Sequence, residues 1–379
     1  MNKKPKIAMI GVRGIPAKMG GAESVVENIA IRLAKDCEIT VFCRPDYFKK
    51  NTPLPSEFKG VRLRFVRTIN TKHLEAIIHT FFSSILAAFG PYDIVHYHSI
   101  GPSLLSWLPR LFGKKVIATC HALDWRREKW GKKATGFLKL GAWASARFPQ
   151  ITTVVSKDIQ DFYQYNLNKG TILVNNGVNT GNSSTFSSII DDFSFTSGQY
   201  ILFLSRIVPE KRLDLLINAY LPLNTEYKLV ITGDSSHSQE YVEELRKLTK
   251  DNKKIIFTGQ QTGADKDTLL QNCALFVLPS DLEGMPIVLL EALSCGCACI
   301  ASDIKVNRGL LEPEPGQKYG ELFKQGDTED LKEKLELLLN NKPLREQYRS
   351  LGHEYIKQNY NWDDIAGEYL KLYKSLSSG

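Results

Sequence analysis

The sequence lacks an uninterrupted apolar run of the roughly 20 residues that a membrane-spanning helix needs. Its longest apolar segment, residues 76–89, is interrupted by His79 and two serines. An apolar signal-peptide core is also missing, because the basic residues 1–6 are followed at once by the short predicted strand Ile7–Ile10. These absences predict a cytoplasmic protein, and leave open a peripheral contact with the anionic inner face of the cell membrane.

Cysteine is scarce, and its pattern favours neither disulfides nor a metal. Seven cysteines, an odd number, are scattered through 379 residues, which argues for a reducing compartment. Cys295, Cys297 and Cys299 form a C-x-C-x-C run, but no second Cys/His cluster accompanies it, so buried thiols are the better interpretation. His96 and His98 share one face of a strand without an evident third ligand. We predict no metal and no other cofactor.

Length and charge indicate a two-domain protein with anionic partners. A chain of 379 residues exceeds one ordinary core, and 43% hydrophobic with 24% charged residues is typical of a globular protein. The formal net charge of +8 favours nucleoside diphosphates or an acidic lipid surface. Nucleic acid is not expected as a partner, because the basic residues are dispersed and no recognition module is present.

Strand and helix patterns alternate in two sets, which predicts parallel sheets covered by helices on both faces. We therefore expect an α/β protein with two Rossmann-like, doubly wound domains, at 1–178 and 199–355, facing a cleft. Residues 179–198, rich in Ser, Asn, Thr and Gly, are predicted to be a linker, and an amphipathic helix is predicted at about 360–379. The other predicted strands are Ile39–Cys43, Val61–Val66, Asp93–His96, Lys115–Cys120, Ile151–Val155, Tyr200–Ser205, Lys228–Thr232, Lys254–Thr258, Leu275–Pro279 and Cys299–Ala301.

The most informative stretch is 280–302, where an acidic corner joins strand Leu275–Pro279 to a mostly apolar helix that ends before Gly296. Glu291 is the polar exception in that helix, and its carboxylate is costly to bury without a partner. A hydroxyl-rich ligand would supply one. Glu283 lies eight residues earlier, in the loop, so the two acids are separated by one ligand-sized length.

Backbone amides at two helix starts are candidates for binding an anion. Gly284, Met285 and Ile287 lie at the start of the helix that carries Glu291. Gly20 and Gly21 precede the first amphipathic helix, where a phosphate or sugar can approach the backbone closely. The dinucleotide pattern G-x-G-x-x-G is absent there, which argues against an NAD site.

Two cations follow strand Tyr200–Ser205, namely Arg206 and Lys211 in an R-x4-K arrangement. Ligands of open α/β sheets bind at the carboxyl ends of the strands. Two cations and two carboxylates at such an edge are what a sugar joined to a diphosphate requires, because the cations match phosphate and the acids match hydroxyls.

The R-x4-K and E-x7-E motifs resemble those of the family 4 retaining glycosyltransferases, which have the GT-B fold. The passages GVRGIPAKMGGAE, DIVHYHSIGPSLL and DWRREKWGK are similar to a bacterial subgroup that includes rhamnosyltransferases of cell-surface polysaccharide assembly. The resemblance covers nearly the whole chain. It implies that 1–178 is the acceptor-side domain, onto which the helix at about 360–379 crosses back, and that 199–355 is the donor-side domain. It implies transfer of a hexosyl group, with rhamnosyl among the candidates, from a nucleoside diphosphate sugar to a hydroxyl of a lipid-linked or oligosaccharide acceptor.

The resemblance also implies residue roles. Arg206 and Lys211 would stabilise the diphosphate, Glu283 would hold sugar hydroxyls, and Glu291 would hold the ribose. His121, directly after a strand, is by itself more often a structural histidine, but family 4 enzymes have a histidine near the donor sugar in a similar place. Many relatives have His-Gly or His-Asp there, whereas this chain has His121-Ala122.

Other interpretations stay open from the residues alone. The segment Trp125 to Lys133 interleaves aromatic and basic residues, which suits either an anionic acceptor or membrane, or a solvated loop with inward tryptophans. Asp265-Lys266-Asp267 matches a metal-binding D-x-D, but Asp267 is better explained as a first-turn helix acid. The alternatives to a transferase are a nucleotide-sugar epimerase of the same fold and a non-catalytic nucleotide-sugar-binding subunit.

Overall fold

A computed structural model describes residues 4–18, 20–48, 53–68, 75–126, 131–179, 187–235, 238–250 and 252–377 of the chain. It divides into two compact units, the first formed by residues 1–177 with 362–379 and the second by residues 178–361. The predicted separation into acceptor-side and donor-side domains concerns their roles and stays a prediction.

The first unit is built on a sheet that has eight strands in its described part, in the order β3-β4-β2-β1-β5-β6-β7-β8. All neighbouring strands are parallel except β3 and β4. Its strands are β1 (Lys6–Ile10), β2 (Glu38–Cys43), β3 (Glu57–Phe58), β4 (Val61–Phe65), β5 (Ile94–His98), β6 (Lys115–Cys120), β7 (Ile151–Val154) and β8 (Ile172–Leu173).

Helices follow most of these strands because the chain must cross back over the sheet before each parallel partner. Those of the first unit are α1 (Gly21–Leu33), α2 (Glu75–Ala88), α3 (Ile100–Ser103), α4 (Trp107–Leu111), α5 (Lys132–Arg147), α6 (Lys157–Leu167) and α15 (Trp362–Ser377). In α1, Val25, Val26, Ile29 and Leu33 are all buried, as their spacing predicts. The C-terminal helix α15 packs against α1 and buries Tyr369 and Tyr373.

The second unit contains a parallel sheet with six described strands, in the order β11-β10-β9-β12-β13-β14. Its strands are β9 (Tyr200–Leu204), β10 (Lys228–Thr232), β11 (Ile255–Gly259), β12 (Leu275–Leu278), β13 (Ala298–Ser302) and β14 (Glu321–Phe323). Its helices are α7 (Ile189–Asp192), α8 (Leu213–Tyr220), α9 (Gln239–Thr249), α10 (Ala264–Asn272), α11 (Ile287–Ser294), α12 (Lys305–Leu311), α13 (Thr328–Asn340) and α14 (Lys342–Asn359).

The predicted linker 179–198 falls within the second unit, and its residues 180–186 lie outside the described part of the chain. The following residues pack in that unit. Helix α7 lies there, and Phe195 is buried against Phe193 and Tyr200, with ring centroids 5.5 Å and 5.3 Å away. Phe193 and Phe195 therefore give this otherwise polar stretch enough apolar area to pack against the second unit.

Candidate functional site

The loops after β9 and β12 lie side by side, because these strands are parallel neighbours and end at the same edge of the second sheet. The amide of Asp281 donates to the carbonyl of Glu210 at 3.0 Å. The guanidinium of Arg212 pairs with the Asp281 carboxylate at 2.9 Å. These contacts bring the two segments that carry the predicted R-x4-K and E-x7-E motifs together.

Lys211 and Glu283 form a direct ion pair at this edge. Both side chains are largely buried, with 11% and 10% of their surface exposed. The charges compensate each other where water cannot solvate them fully. The cation assigned to phosphate and the acid assigned to sugar hydroxyls therefore contact each other in this structure, and their roles toward a donor stay predictions.

Arg206 lies in the turn that leads from β9 to Lys211. The carbonyl of Arg206 accepts from the amide of Val208 at 3.1 Å, and the amide of Lys211 donates to Val208 at 2.9 Å. The turn is anchored to the neighbouring strand end, since the amide of Ile207 donates to Asp234 at 3.1 Å. Both predicted cations therefore belong to one compact turn.

The predicted amide site lies at the start of α11. Pro286 is the N-cap residue, and its carbonyl accepts the first intrahelical hydrogen bonds, from Leu289 and Leu290. Ile287 is the first helical residue and is half-buried, as is Gly284, whereas Met285 is buried. The first amides of any helix have no intrahelical acceptor, so an anion at this point would be stabilised by them.

Glu291 pairs with Lys266 of the neighbouring helix α10, with 2.6 Å between Lys266 Nζ and Glu291 Oε1. Burial acts to lower the pKa of Lys266, but the charge and hydrogen bond of Glu291 outweigh it, so the pKa lies above its ordinary value. Lys266 therefore supplies the partner for which the sequence analysis invoked a ligand, and the predicted contact of Glu291 with the ribose stays a prediction. The sequence analysis did not single out Lys266, because only the two acids of the Asp265-Lys266-Asp267 triplet suggested a function. Asp267 is a first-turn acid of α10, as predicted.

In the first unit, His121 is held by His98. His121 follows β6, and His98 is the last residue of the neighbouring strand β5. Because the two strands are parallel, both residues lie at one edge of the sheet. His98 Nδ1 and His121 Nε2 are 3.1 Å apart and the rings are stacked, with centroids 5.4 Å apart. Among the described residues, no hydrogen-bond partner lies next to His121 Nδ1. Burial lowers the pKa of His121 to about 4, so the ring is neutral at pH 7.

His96 is part of the core rather than of a metal site. Its Nδ1 lies 2.7 Å from the Tyr373 hydroxyl and its Nε2 lies 2.7 Å from the Thr119 hydroxyl. Burial, followed by the charge of His121, lowers the pKa of His96 to about 3. In the described ranges, no group of three His, Cys, Asp or Glu side chains is placed to hold a metal ion. Whether the reaction needs a metal stays a prediction.

The glycine-rich loop after β1 is shaped by the chain's own side chains. Gly20 caps α1 with φ of 121°, and a Cβ there would meet the Glu23 carboxylate at 2.2 Å. Glu23 is buried and pairs with Arg13 at 3.0 Å. An internal carboxylate thus lies at the helix start where Gly20 and Gly21, both exposed, were predicted to receive an anion. The sequence analysis did not single out Arg13 or Glu23.

The aromatic and basic segment is described only in part, since residues 127–130 lie outside the described ranges. Trp125 packs against Phe162 with ring centroids 5.1 Å apart. Arg126 pairs with Asp158 at 3.0 Å. These two members of the segment are thus engaged within the first unit.

Two family models match the chain. The model described as Glycosyltransferase Family 4 matches residues 19–182, and the model described as Glycosyl transferases group 1 matches residues 190–355. Together with the two parallel-sheet units, these matches define a glycosyltransferase with the GT-B fold. The predicted GT-B fold is confirmed, and the two models together support the predicted assignment to the family 4 glycosyltransferases. The retaining mechanism and the rhamnosyltransferase subgroup stay predictions.

Several relatives align with most of the chain. One, an uncharacterised glycosyltransferase of Methanocaldococcus jannaschii, is 26% identical over 366 residues, which cover 95% of each chain. Another, the phosphatidyl-myo-inositol mannosyltransferase of Mycobacterium leprae, is 24% identical over 343 residues, which cover 86% of this chain and 82% of the relative. Both names agree with a glycosyltransferase.

Solved structures agree with the fold. Sucrose-phosphate synthase from Thermosynechococcus elongatus superposes with a TM-score of 0.86 at 19% identity, covering 99% of this chain and 100% of that one. Anabaena HepE, solved in complex with UDP-glucose, superposes with a TM-score of 0.79 at 16% identity, covering 98% of this chain and 99% of that one.

Proposed function

We propose that the protein is a retaining glycosyltransferase that transfers a hexosyl group from a nucleoside diphosphate sugar to a hydroxyl of a lipid-linked or oligosaccharide acceptor. Rhamnose is one candidate sugar, and cell-surface polysaccharide synthesis is the proposed context. The observation that carries the proposal is the placement of two ion pairs beside β12. Lys211–Glu283 joins the loops after β9 and β12, and Lys266–Glu291 joins α10, which precedes β12, to α11, which follows it. The names of the relatives and of the UDP-glucose complex support it.

The reaction breaks the bond between C1 of the sugar and the diphosphate and forms a bond between C1 and the acceptor oxygen. Negative charge develops on the leaving phosphate, and Arg206, Lys211 and the amides of Gly284, Met285 and Ile287 stabilise it. Attack occurs on the face that the diphosphate leaves, and the departing phosphate takes the acceptor's proton. No protein nucleophile and no metal are assigned.

Donor binding in this proposal opens the Lys211–Glu283 pair. The diphosphate takes over the Lys211 ammonium, and Glu283 is released to accept hydrogen bonds from sugar hydroxyls. Glu291 accepts from the ribose while Lys266 orients its carboxylate. The neutral imidazole of His121 orients the donor or the acceptor through Nδ1, and the Gly20-Gly21 loop lies close to the donor.

Binding and turnover together test this function. Thermal unfolding with UDP, dTDP, GDP and ADP, and then with the matching sugar nucleotides, identifies the donor, because a ligand of the folded state raises the melting temperature. An anomeric proton spectrum of the product tests retention. An enzyme that converts the donor without acceptor is an epimerase, and turnover near wild type in Lys211→Ala or Glu291→Ala would contradict the site.

A further inference from the structure

Helix α2 of the first unit has its polarity reversed for a helix in water. Its buried face carries His79, Thr80, Ser83 and Ser84 together with small alanines. Ile77, Phe81 and Phe82 are exposed instead, while Leu86 packs against the core. Buried positions normally take the large apolar residues, so this helix is expected to have an apolar partner on its outer face.

The outward apolar residues of α2 form a stripe. Ile77, Phe81 and Ile85 of α2 are spaced four residues apart, which places them on one side of the helix. Phe89 follows α2 directly and continues the spacing, because its amide donates to the Ile85 carbonyl at 3.1 Å. Phe81 and Phe89 are exposed by 43% and 71%, and Phe82 beside them by 48%. The fourteen residues of α2 include a single charged side chain, Glu75, which pairs with Arg44 at 3.1 Å.

The stripe continues onto α4, which packs against α2. The rings of Phe89 and Phe112 are in contact, with centroids 4.4 Å apart. Leu111 beside them is 72% exposed, and Trp107 and Phe112 are exposed as well. An aromatic side chain has about 200 Å² of surface. With roughly half of each side chain exposed, Phe81, Phe82, Phe89 and Phe112 together present on the order of 400 Å² of apolar surface. This is the size of the largest apolar patch on a typical monomer, which is often functional.

Cations border this apolar area, and carboxylates are scarce. Lys114 Nζ donates to the carbonyl of Gly90 at 2.8 Å, next to the Phe89–Phe112 contact. Arg110 of α4 donates to the carbonyl of Phe148, which follows α5. Helix α5 has four basic residues and no acidic one, and its Leu140 and Trp143 are exposed.

We propose that the outer faces of α2, α4 and α5, named here the apolar-basic surface, dock on an anionic lipid bilayer. Exposed Phe, Trp and Leu enter the boundary between headgroups and acyl chains, and the flanking lysines and arginines bind lipid phosphates. None of the helices in the described part of the chain combines the length and hydrophobicity of a membrane span, so the contact lies in the plane of the interface.

A bilayer fits this surface better than a second copy of the chain. A two-fold dimer would place the same patch on both sides, so the cations of α5 would face like charges. An anionic bilayer satisfies the apolar and the basic parts at once. The docking itself does not depend on transferase activity; only its purpose, access to a lipid-linked acceptor, rests on the proposed function.

The apolar part is tested by co-sedimentation of the full chain with vesicles of phosphatidylglycerol and phosphatidylcholine in equal parts. The double variant Phe81→Gln/Phe89→Gln keeps helix propensity and removes the stripe. Its vesicle binding should weaken by about tenfold or more, because the free energy gained by burying the two phenylalanines is lost. The matched control Leu248→Gln/Leu351→Gln removes two leucines that are each 42% exposed in the second unit, and it should bind like wild type.

The charged part is tested by Lys132→Gln/Lys139→Gln. Each lost lysine should weaken binding to the anionic vesicles about fivefold, and added salt should remove the difference. On vesicles of phosphatidylcholine alone the variant should match wild type. The control Lys247→Gln/Lys357→Gln changes two exposed lysines of the second unit and should leave binding unchanged.

Two outcomes would overturn the docking proposal. One is equal vesicle binding by wild type and Phe81→Gln/Phe89→Gln. The other is a wild type that ignores vesicles but forms a dimer that the same variant dissociates, which would make a second copy the occupant. Thermal unfolding checks that the variants are folded. Nucleotide binding is measured separately, so a failed donor site is distinguishable from a failed docking surface.

Discussion

Glu291 on α11 and Lys266 on α10 are joined across 2.6 Å by a hydrogen-bonded ion pair. A carboxylate has about four lone-pair sites, so the pair leaves Glu291 free to accept from a ribose hydroxyl as well. Lys266 therefore acts as a positioning residue that orients the carboxylate.

The first prediction concerns nucleotide binding by this pair. Glu291→Gln should raise the Kd for the nucleotide by about 10- to 100-fold, the loss of a hydrogen bond to a charged acceptor. Lys266→Met should raise it less, and Lys266→Arg should restore it. Isothermal titration measures each Kd, with Lys247→Met as a control for the same substitution at an exposed site. If the losses of binding free energy in Glu291→Gln and Lys266→Met simply added in the double variant, the two residues would not be coupled.

The second prediction concerns the Lys211–Glu283 pair. Glu283→Gln leaves the Lys211 ammonium buried without its counter-charge, so stability should fall by about 3 kcal/mol. The double variant Lys211→Met/Glu283→Gln should recover part of that loss, although it stays inactive. Chemical denaturation gives the free energies of unfolding. Asp281→Asn breaks the more exposed Arg212–Asp281 pair nearby and should cost at most about 1 kcal/mol.

The third prediction concerns pH. Because burial lowers the pKa of His121 to about 4, its neutral form persists well below the ordinary value of 6.5. Any contribution of neutral His121 to kcat/KM should therefore stay constant as pH falls through 6.5, and decline only near pH 4. The pH profile of His121→Asn, divided by that of wild type, isolates this contribution. A ratio that changes near pH 6.5 would show that the ring is not held neutral.

His98 offers a companion test of the same arrangement. His98→Asn retains a polar atom near the position of Nδ1, whereas His98→Leu removes the partner of His121. We expect kcat to survive better in His98→Asn than in His98→Leu. Equal losses in the two variants would indicate that His98 only fills space.

The fourth prediction compares two glycines on one helix. A Cβ on Gly141 would lie 2.4 Å from the carbonyl oxygen of Ile100, so Gly141→Ala should force α5 away from α3 and destabilise the first unit by about 1–3 kcal/mol. At Gly136, no atom of the described residues lies within 4 Å of such a Cβ. Gly136→Ala should stabilise by about 0.5–1 kcal/mol. Thermal unfolding of the two variants checks the opposite signs.

Much of the fold was predictable because its signals are local. The strands Lys115–Cys120 and Lys228–Thr232 form with the predicted bounds, since continuous β-branched and apolar runs identify buried parallel strands. Short elements were missed. Strands β3 and β8 have two residues each, too few to show any periodicity. The Ser- and Asn-rich linker pattern likewise concealed α7 and the packing of Phe195.

The candidate site was predictable in its members but not in its pairings. The motifs identified Lys211, Glu283 and Glu291 correctly as residues of one sheet edge or of the helix beside it, because the ends of parallel strands meet there. They could not show that Lys211 would contact Glu283, since 72 residues separate the two in sequence. Lys266 and His98 were overlooked as partners for the same reason.

By itself, the sequence determined the α/β class, the positions of the longer strands and the resemblance to the family, because hydrophobic periodicity and short motifs act over a few neighbouring residues. Only the tertiary structure decided which charges neutralise each other, which histidine holds His121, and which face of α2 is exposed. Those outcomes depend on side chains that meet from distant segments, and burial and Coulomb attraction operate through distance in space rather than along the chain.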